Sequence, residues 1–300
     1  MLKLNFRKLP EVFVTAIKKW WRHDPFKESS VIAYNAIFSL PGLLVVIVTV
    51  AGYFFGADAV SGRLHLQITQ AMGPDTADEV TAMLKAANKS KDSWIATAIG
   101  IVVIVLGATG VFVQLQEYLN TIWEVKATTK KSGIVIYLRT RLFSFGLIIS
   151  IAFLLLISLV ISSILSALSD WTTNGSSEFW LIIFKILNFI FSLIIITLLF
   201  ALMFKILPDA KIKWRSVWVG AFFTALLFVI GKSALGLYFG KADPGSGYGA
   251  AGSIVLILLW VTYSSMIVFL GAEFTKAHSD LYGEAAPTEN AVKSDQKTKS

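Results

Sequence analysis

This 300-residue sequence predicts an all-α, polytopic membrane protein with six transmembrane helices. Three observations predict it. Six stretches carry no charged side chain: Val31–Ala57, Trp94–Gln116, Leu142–Ser169, Ile186–Phe204, Ser216–Gly231 and Ala250–Ala272. A bilayer core of about 30 Å takes roughly 20 helical residues to cross, and each stretch reaches that once Lys232 is allowed to snorkel. The composition agrees, with 55% hydrophobic and 15% charged residues and a mean hydropathy of +0.69, well off the soluble norm. Positive charge also alternates from one connecting loop to the next, as membrane topology requires.

The elements follow in order. Residues 1–28 form a polar N-terminal segment. Within it Val12, Phe13, Ala16, Ile17 and Trp20 share one helical stripe flanked by Lys18, Lys19 and Arg22. This reads as an amphipathic helix in the cytoplasmic interface, started by Pro10 and stopped before Pro25. A helix packed on cytoplasmic loops has the same periodicity, so both readings stand. A six-helix domain covers 29–277, with spans at 29–56, 94–118, 142–169, 179–206, 215–239 and 251–276. The loop 57–93 is read as periplasmic and helical, with helices near 59–72 and 75–88. Gly73-Pro74-Asp75 is a helix start, and Asp78 and Glu79 fall in the first turn after it. The tail 278–300 loses its apolar residues from Gly283 onward and reads as disordered.

Orientation comes from the loops. The N-terminal segment, the loop with Lys126, Lys130, Lys131, Arg139 and Arg141, the loop with Lys205, Lys211, Lys213 and Arg215, and the tail are rich in Lys and Arg. The loops between them are poor in positive charge or balance it with acids. The positive-inside rule therefore places both termini in the cytoplasm. The net charge of +8 is topological, so no nucleic-acid partner is expected. The first apolar run starts late and is too long for a signal-peptide core, so a cleavable leader is not expected. There is no cysteine, hence no disulfide framework.

Ionisable residues sit at span ends. Lys185 and Lys205 are separated by about 30 Å of helix, Lys232 lies about 26 Å beyond Arg215, and Glu117 about 35 Å after Trp94. Glu117 and Glu273 fall at the cytoplasmic ends of their spans, on the face that holds Arg139, Arg141 and Arg215. These residues and Asn120 form a candidate cytoplasmic rim. Within it Glu117 and Glu273 are expected to pair with bases among Arg139, Arg141, Lys205 and Arg215. No acid remains near the midplane, which disfavours a proton-relay pump. Neutral irregularities do lie there: Ser39-Leu40-Pro41-Gly42 in span one, and Thr262 to Ser265 in span six. Gly107 and Gly110 permit close helix approach, and Ser158, Ser162 and Ser166 form a stripe suited to helix–helix bonds. Span three, at about 42 Å, must tilt or protrude.

Catalytic constellations are absent. His23, His65 and His278 lack metal-ligand spacing, and no GxSxG, P-loop or HExxH occurs. No enzyme activity, cofactor or metal is expected. The glycines at 245, 247, 249 and 252 follow no strand, so they do not suggest a nucleotide loop.

Several segments together resemble the YihY/BrkB family of bacterial inner-membrane proteins, once mislabelled ribonuclease BN. They are Ile32 to Pro41 in span one, Leu119-Asn-Thr-Ile-Trp-Glu-Val125 at the end of span two, and Leu207-Pro-Asp with Trp214 and Val219-Gly-Ala221 entering span five. Tyr248-Gly-Ala-Ala-Gly252, Leu259-Trp-Val-Thr-Tyr263 and Gly271-Ala-Glu-Phe274 complete the set. The proline comes one place early, and Thr275 stands where the family has asparagine. The resemblance covers about Trp20 to Ala277 and implies six transmembrane helices with no established reaction. Members are discussed as envelope or virulence factors and as lipid transporters.

Two functions follow as expectations. One is a transporter or flippase-like carrier of a lipid or amphiphilic anion. Its path would use Tyr34, Asn35, Ser39, Pro41, Gln114, Tyr263 and Ser264, with span one kinked at Pro41 and facing span six. The alternative is a non-transporting envelope scaffold that binds a partner through the outer loop. Membrane lipids are the expected partners in either case.

Overall fold

The computed structural model describes residues 9–89, 110–127, 178–242, 244–281, 286–287 and 291–293. Span 142–169, with its serine stripe, and Gly107 lie outside the described residues.

The first helix, α1 (Leu9–Arg22), has Glu11 in its first turn and Lys19 and Arg22 in its last, each complementing the helix dipole. It packs along the C-terminal helix α8 (Gly252–Leu281) by burying Val12 and Ala16 against Phe274 and Ala277. Phe13, Val14, Ile17 and Trp21 remain exposed. The helix therefore has a face docked on α8, rather than on loops, and an exposed apolar face.

At Asp24 the backbone turns into the left-handed region (φ 46°). Aspartate tolerates that conformation better than most residues. Pro25 then starts α2 (Pro25–Phe55) at its first position, where a missing N–H costs nothing. The helix is uninterrupted through Pro41. Its 31 residues span about 46 Å. Gly56 and Gly73, with φ of 85° and 92°, make the corners into α3 (Ala57–Met72) and α4 (Pro74–Lys89). Only glycine takes such angles without strain. The α3–α4 hairpin folds back onto the bundle. Val60, Val80 and Leu84 bury against Val48 of α2 and Ile257 of α8.

Helix α5 is described over 110–122 and leads through Glu124 (φ 55°) into β1 (Val125–Ala127). It supplies Tyr118, Leu119 and Ile122 to the main core, and the turn after it supplies Trp123. Next come α6 (Glu178–Ile206), β2 (Ala210–Lys211), α7 (Trp214–Ala242), a 3-10 turn at Ser246–Ala251, and α8. Helix α8 is the hub, contacting α1, α2, α4 and α7.

Among the described residues, Ile186–Ile206, Trp214–Ala242 and Gly252–Leu281 are long and apolar enough to cross a membrane. Only 22%, 28% and 33% of their most apolar windows are buried by protein, so most of that surface needs an apolar solvent. Ile186, Leu187, Phe189 and Ile190 on α6 are all exposed.

Helices α7 and α8 meet through a reciprocal interlock of small residues. A Cβ on Gly220 would lie 1.8 Å from Thr275 Oγ1, and one on Gly271 would lie 1.9 Å from Thr224 Oγ1. Each threonine donates back to its own helix, Thr224 to the Gly220 carbonyl and Thr275 to that of Gly271, both at 2.7 Å. The hydroxyls are thus satisfied in a dry contact, as membrane helices require. Thr275 has a packing reason to stand here: it fills the notch that Gly220 leaves.

The tail departs from the sequence reading. Helix α8 continues to Leu281 with Ala277, His278 and Ser279 buried. Two pieces of the segment read as disordered then form strands. Here β3 (Ala286–Pro287) pairs with β2, and β4 (Ala291–Lys293) pairs with β1. The loops after α5 and α6 present unpaired backbone that this polar segment can satisfy, a long-range opportunity that composition does not reveal.

Candidate functional site

The α1–α2 junction, the end of α5 and the end of α8 converge at one end of the bundle. Three side chains tie the junction down. Trp20 Nε1 donates to the Met266 carbonyl at 3.1 Å. His23 Nδ1 and Glu273 Oε1 share a hydrogen bond of 2.6 Å. Tyr118 Oη donates to the His23 carbonyl at 3.3 Å. The Glu273 side chain is fully buried, and its Oε2 has no partner among the described residues. A buried carboxylate is costly unless paired, so His23 is a partner that Glu273 needs.

Outside this point lies a second charged layer. Lys19 bridges Glu124 (4.0 Å) and Asp280 (3.6 Å), while Lys276 pairs with Asp280 and sits 5.5 Å above the Trp123 ring. Further round, Asn120 and Asp209 bond reciprocally. Asn120 Nδ2 donates to Asp209 Oδ2 at 3.0 Å, and Asp209 N donates to Asn120 Oδ1 at 2.8 Å. The asparagine motif that ends α5 and the Leu-Pro-Asp segment after α6 are therefore direct neighbours.

Between α2 and α5 opens a pocket of about 390 Å³. Asp24, Glu28, Glu117 and Arg22 supply its charges, and His23, Gln114, Tyr118 and Thr121 complete the wall. Gln114 Nε2 donates to Glu28 Oε2 at 2.9 Å, joining the two helices across the floor. Asp24 occupies the N-cap position of α2 but makes no side-chain cap. Its carboxylate stays available to the pocket. Among the described residues no cluster of His, Asp and Glu is arranged to hold a metal.

The candidate path residues fall on different faces. Tyr34 is exposed and packs edge-on against Phe38, with ring centroids 5.1 Å apart. Asn35 donates to the Val31 carbonyl and faces Gly110 of α5, not α8. Tyr263 lies against Gly231 of α7. Ser264 is partly buried, and the side chains of Ser39 and Pro41 lie outside the described residues. Among the path residues whose side chains are described, Gln114 alone lines the pocket. The reason is helical period: Ile32 and Ala33 take the buried face of α2, which turns Tyr34 outward.

Of the rim, Arg139 and Arg141 lie outside the described residues. Glu117 lines the pocket, Asn120 holds Asp209, Arg215 is partly buried, and Glu273 bonds to His23. Lys205 donates to the Ile212 carbonyl and lies over the Trp214 ring at 5.6 Å. The partner shown for Glu273 is thus a histidine 250 residues away. His23 adjoins the N-terminal stripe, and only the docking of α1 on α8 brings it to Glu273.

The family model for virulence factor BrkB matches residues 16–296. A UPF0761 membrane protein of Tolumonas auensis is 27% identical over 81% of this chain and 77% of its own. One from Pseudoalteromonas atlantica is 28% identical over 81% and 78%, and one from Glaesserella parasuis 26% over 75% and 76%. These names specify a membrane protein and no reaction. No solved structure matches. Its apolar helices and a family match over nearly its whole length place this chain in the virulence factor BrkB family of membrane proteins.

Proposed function

We propose that this chain is a six-span inner-membrane protein, with both termini cytoplasmic, that carries a lipid or similar amphiphile whose polar head enters the pocket between α2 and α5. The observation that carries this reading is the pocket itself. It is a charged, half-open pocket of about 390 Å³ between α2 and α5, in a molecule whose α6, α7 and α8 leave most of their apolar surface unburied. Such a site can hold a polar head while the chains stay in lipid. The reading does not rest on a break at Pro41, because α2 is continuous there. A non-enzymatic role fits a wall whose one histidine is committed to Glu273.

The scaffold alternative needs an apolar surface on the α3–α4 hairpin. The hairpin spends Val60, Val80 and Leu84 on α2 and α8, which leaves Leu66 as the exposed large apolar side chain among its described residues and favours the carrier.

The test is reconstitution of the full chain into liposomes with a fluorescent short-chain phospholipid and an impermeant quencher. Carrier activity gives loss of inner-leaflet fluorescence above protein-free vesicles. Its absence from correctly oriented, folded protein defeats the carrier reading. The orientation is checked separately, since Ser90→Cys should be labelled by an impermeant thiol reagent from the periplasmic side.

A further inference from the structure

We propose that the outer face of α1 docks onto the bilayer and selects anionic phospholipid in the leaflet at this end of the bundle. The inference goes beyond the carrier reading and does not depend on what the pocket holds.

Residues four apart share one face of a helix, so α1 divides into four rows. Val12, Ala16 and Trp20 form the docked row. Val12 and Ala16 bury against Phe274 and Ala277, and Trp20 Nε1 donates to the Met266 carbonyl. On one side of it run Glu11, Thr15, Lys19 and His23. There Lys19 is spent on Glu124 and Asp280, and His23 on Glu273. On the other side run Phe13, Ile17 and Trp21, which are 38%, 37% and 72% exposed. Val14, Lys18 and Arg22 complete the circle, all three exposed. Neither Lys18 nor Arg22 has an ion-pair partner among the described residues. The helix thus turns outward an apolar row with cations along its open flank.

The docked row fixes how deep this face sits. Phe274 and Ala277 lie about 10 and 6 Å of helix before the end of α8 at Leu281. Phe13 meets Phe223 edge-on with ring centroids 6.0 Å apart, and Phe223 lies about 14 Å inside α7. At 29 and 30 residues, α7 and α8 exceed the hydrocarbon thickness by about 14 Å, or about 7 Å at each end. The contacts of α1 therefore straddle the boundary between head groups and chains. An interfacial helix buries its apolar face about 5–10 Å into that boundary. The apolar row also continues the exposed surface of α7, through the contact of Phe13 with Phe223.

Charge decides the occupant. Long cationic side chains beside an apolar row reach up to phosphates while the row stays among the chains. The acids of this corner lie elsewhere: Glu11 opens the row that holds Lys19, and Asp24 and Glu28 line the pocket, which Arg22 also borders. A second copy on this face would set the same cation-flanked row against itself across a two-fold axis, which disfavours a dimer contact.

The sequence has no cysteine, so Ile17→Cys gives a unique site for a fluorophore on the apolar row. The labelled full chain is reconstituted in phosphatidylcholine vesicles that carry the same mole fraction of either brominated phosphatidylcholine or brominated phosphatidylglycerol. Bromine quenches only on contact, so the reading is local to this face. The expected result is quenching by both lipids, stronger by at least about fivefold with phosphatidylglycerol, the preference that one cation near the surface supplies. That preference should fall toward one in the K18Q/R22Q background, whose folding is checked by its melting curve. It should also fall at high salt in the chain that keeps both cations, a second readout that needs no variant. Absence of quenching by either lipid means that protein covers this face, a second copy or another segment of the chain, and overturns the proposal. Equal quenching by the two lipids, or a preference that survives both K18Q/R22Q and high salt, overturns the selection of anionic lipid. The measurement involves no transfer between leaflets, so failure of the carrier reading leaves its result unchanged.

Discussion

Two histidine–carboxylate contacts of similar length sit in different regions of the molecule. His23 meets Glu273 at 2.6 Å, and His65 of α3 meets Asp78 of α4 at 2.9 Å. Their surroundings differ far more than their geometry. The Glu273 side chain is 0% exposed and that of Asp78 is 76% exposed. Coulomb attraction at a given distance varies severalfold with the local dielectric. An exposed carboxylate that loses its partner is rehydrated, whereas a buried one is stranded. Burial, more than bond length, should therefore separate these pairs. The first joins helices 250 residues apart, so its loss would also loosen α1 from α8.

The largest expected effect is at the buried pair. His23→Ala leaves the Glu273 carboxyl without its one shown partner and should cost about 3 kcal/mol, the lower end for breaking a buried pair because His23 itself is partly exposed. Unfolding by SDS titration in mixed micelles measures it. Adding Glu273→Gln removes the stranded charge and should recover part of the loss. A single-variant cost below about 1 kcal/mol would place this pair in the same class as the exposed one.

The dry interlock between α7 and α8 tests whether tight packing rivals buried charge. Gly220→Ala drives a methyl group into Thr275, and overpacking of this kind typically costs about 1–3 kcal/mol. Thr275→Ala in the same chain opens the notch and should restore most of the stability. If Gly220→Ala is neutral alone, the helices separate more easily than the interlock implies.

The legibility of this molecule divides along the same line. Apolar length is written locally, so α6, α7 and α8 appear in the sequence as uncharged runs. The hairpin appears through Gly73-Pro74-Asp75. The polar end does not, because it is assembled from residues far apart in the chain. Depth and sign alone point Glu273 toward Arg139, Arg141, Lys205 and Arg215. The residue that reaches it stands on a left-handed turn at Asp24 that no periodicity announces. The pocket was half legible. Glu117 and Gln114 were candidates for separate roles, and Asp24 and Glu28 carried no signal beyond their charge. Asn120 was visible as part of a motif, and its partner Asp209 as part of another, but their contact needed the fold.

That contact offers an intermediate case. Asn120→Ala removes both reciprocal bonds to Asp209 in a partly buried setting. A loss of about 1–2 kcal/mol is expected from the two hydrogen bonds removed. Asn120→Asp should be worse than alanine, since it puts a second carboxylate against Asp209. Equal effects would mean that water already screens the pair.

The smallest effect is expected at the hairpin. His65 and Asp78 lie on adjacent helices, and their side chains are 35% and 76% exposed. An exposed ion pair contributes about 0–1 kcal/mol, and salt weakens it further. The hairpin does not depend on it, because Val60, Val80 and Leu84 hold α3 and α4 to the bundle through apolar burial. His65→Ala and Asp78→Ala should each cost under about 0.5 kcal/mol, and a double-mutant cycle should give a coupling that falls between low and high salt. Val80→Ala, which touches no charge, should cost more than either, since it opens a cavity in the contact that anchors the hairpin. If the His65–Asp78 coupling instead matched that of His23 and Glu273, the 2.6 and 2.9 Å distances would matter more than burial, and the contrast between the two ends of the molecule would fail.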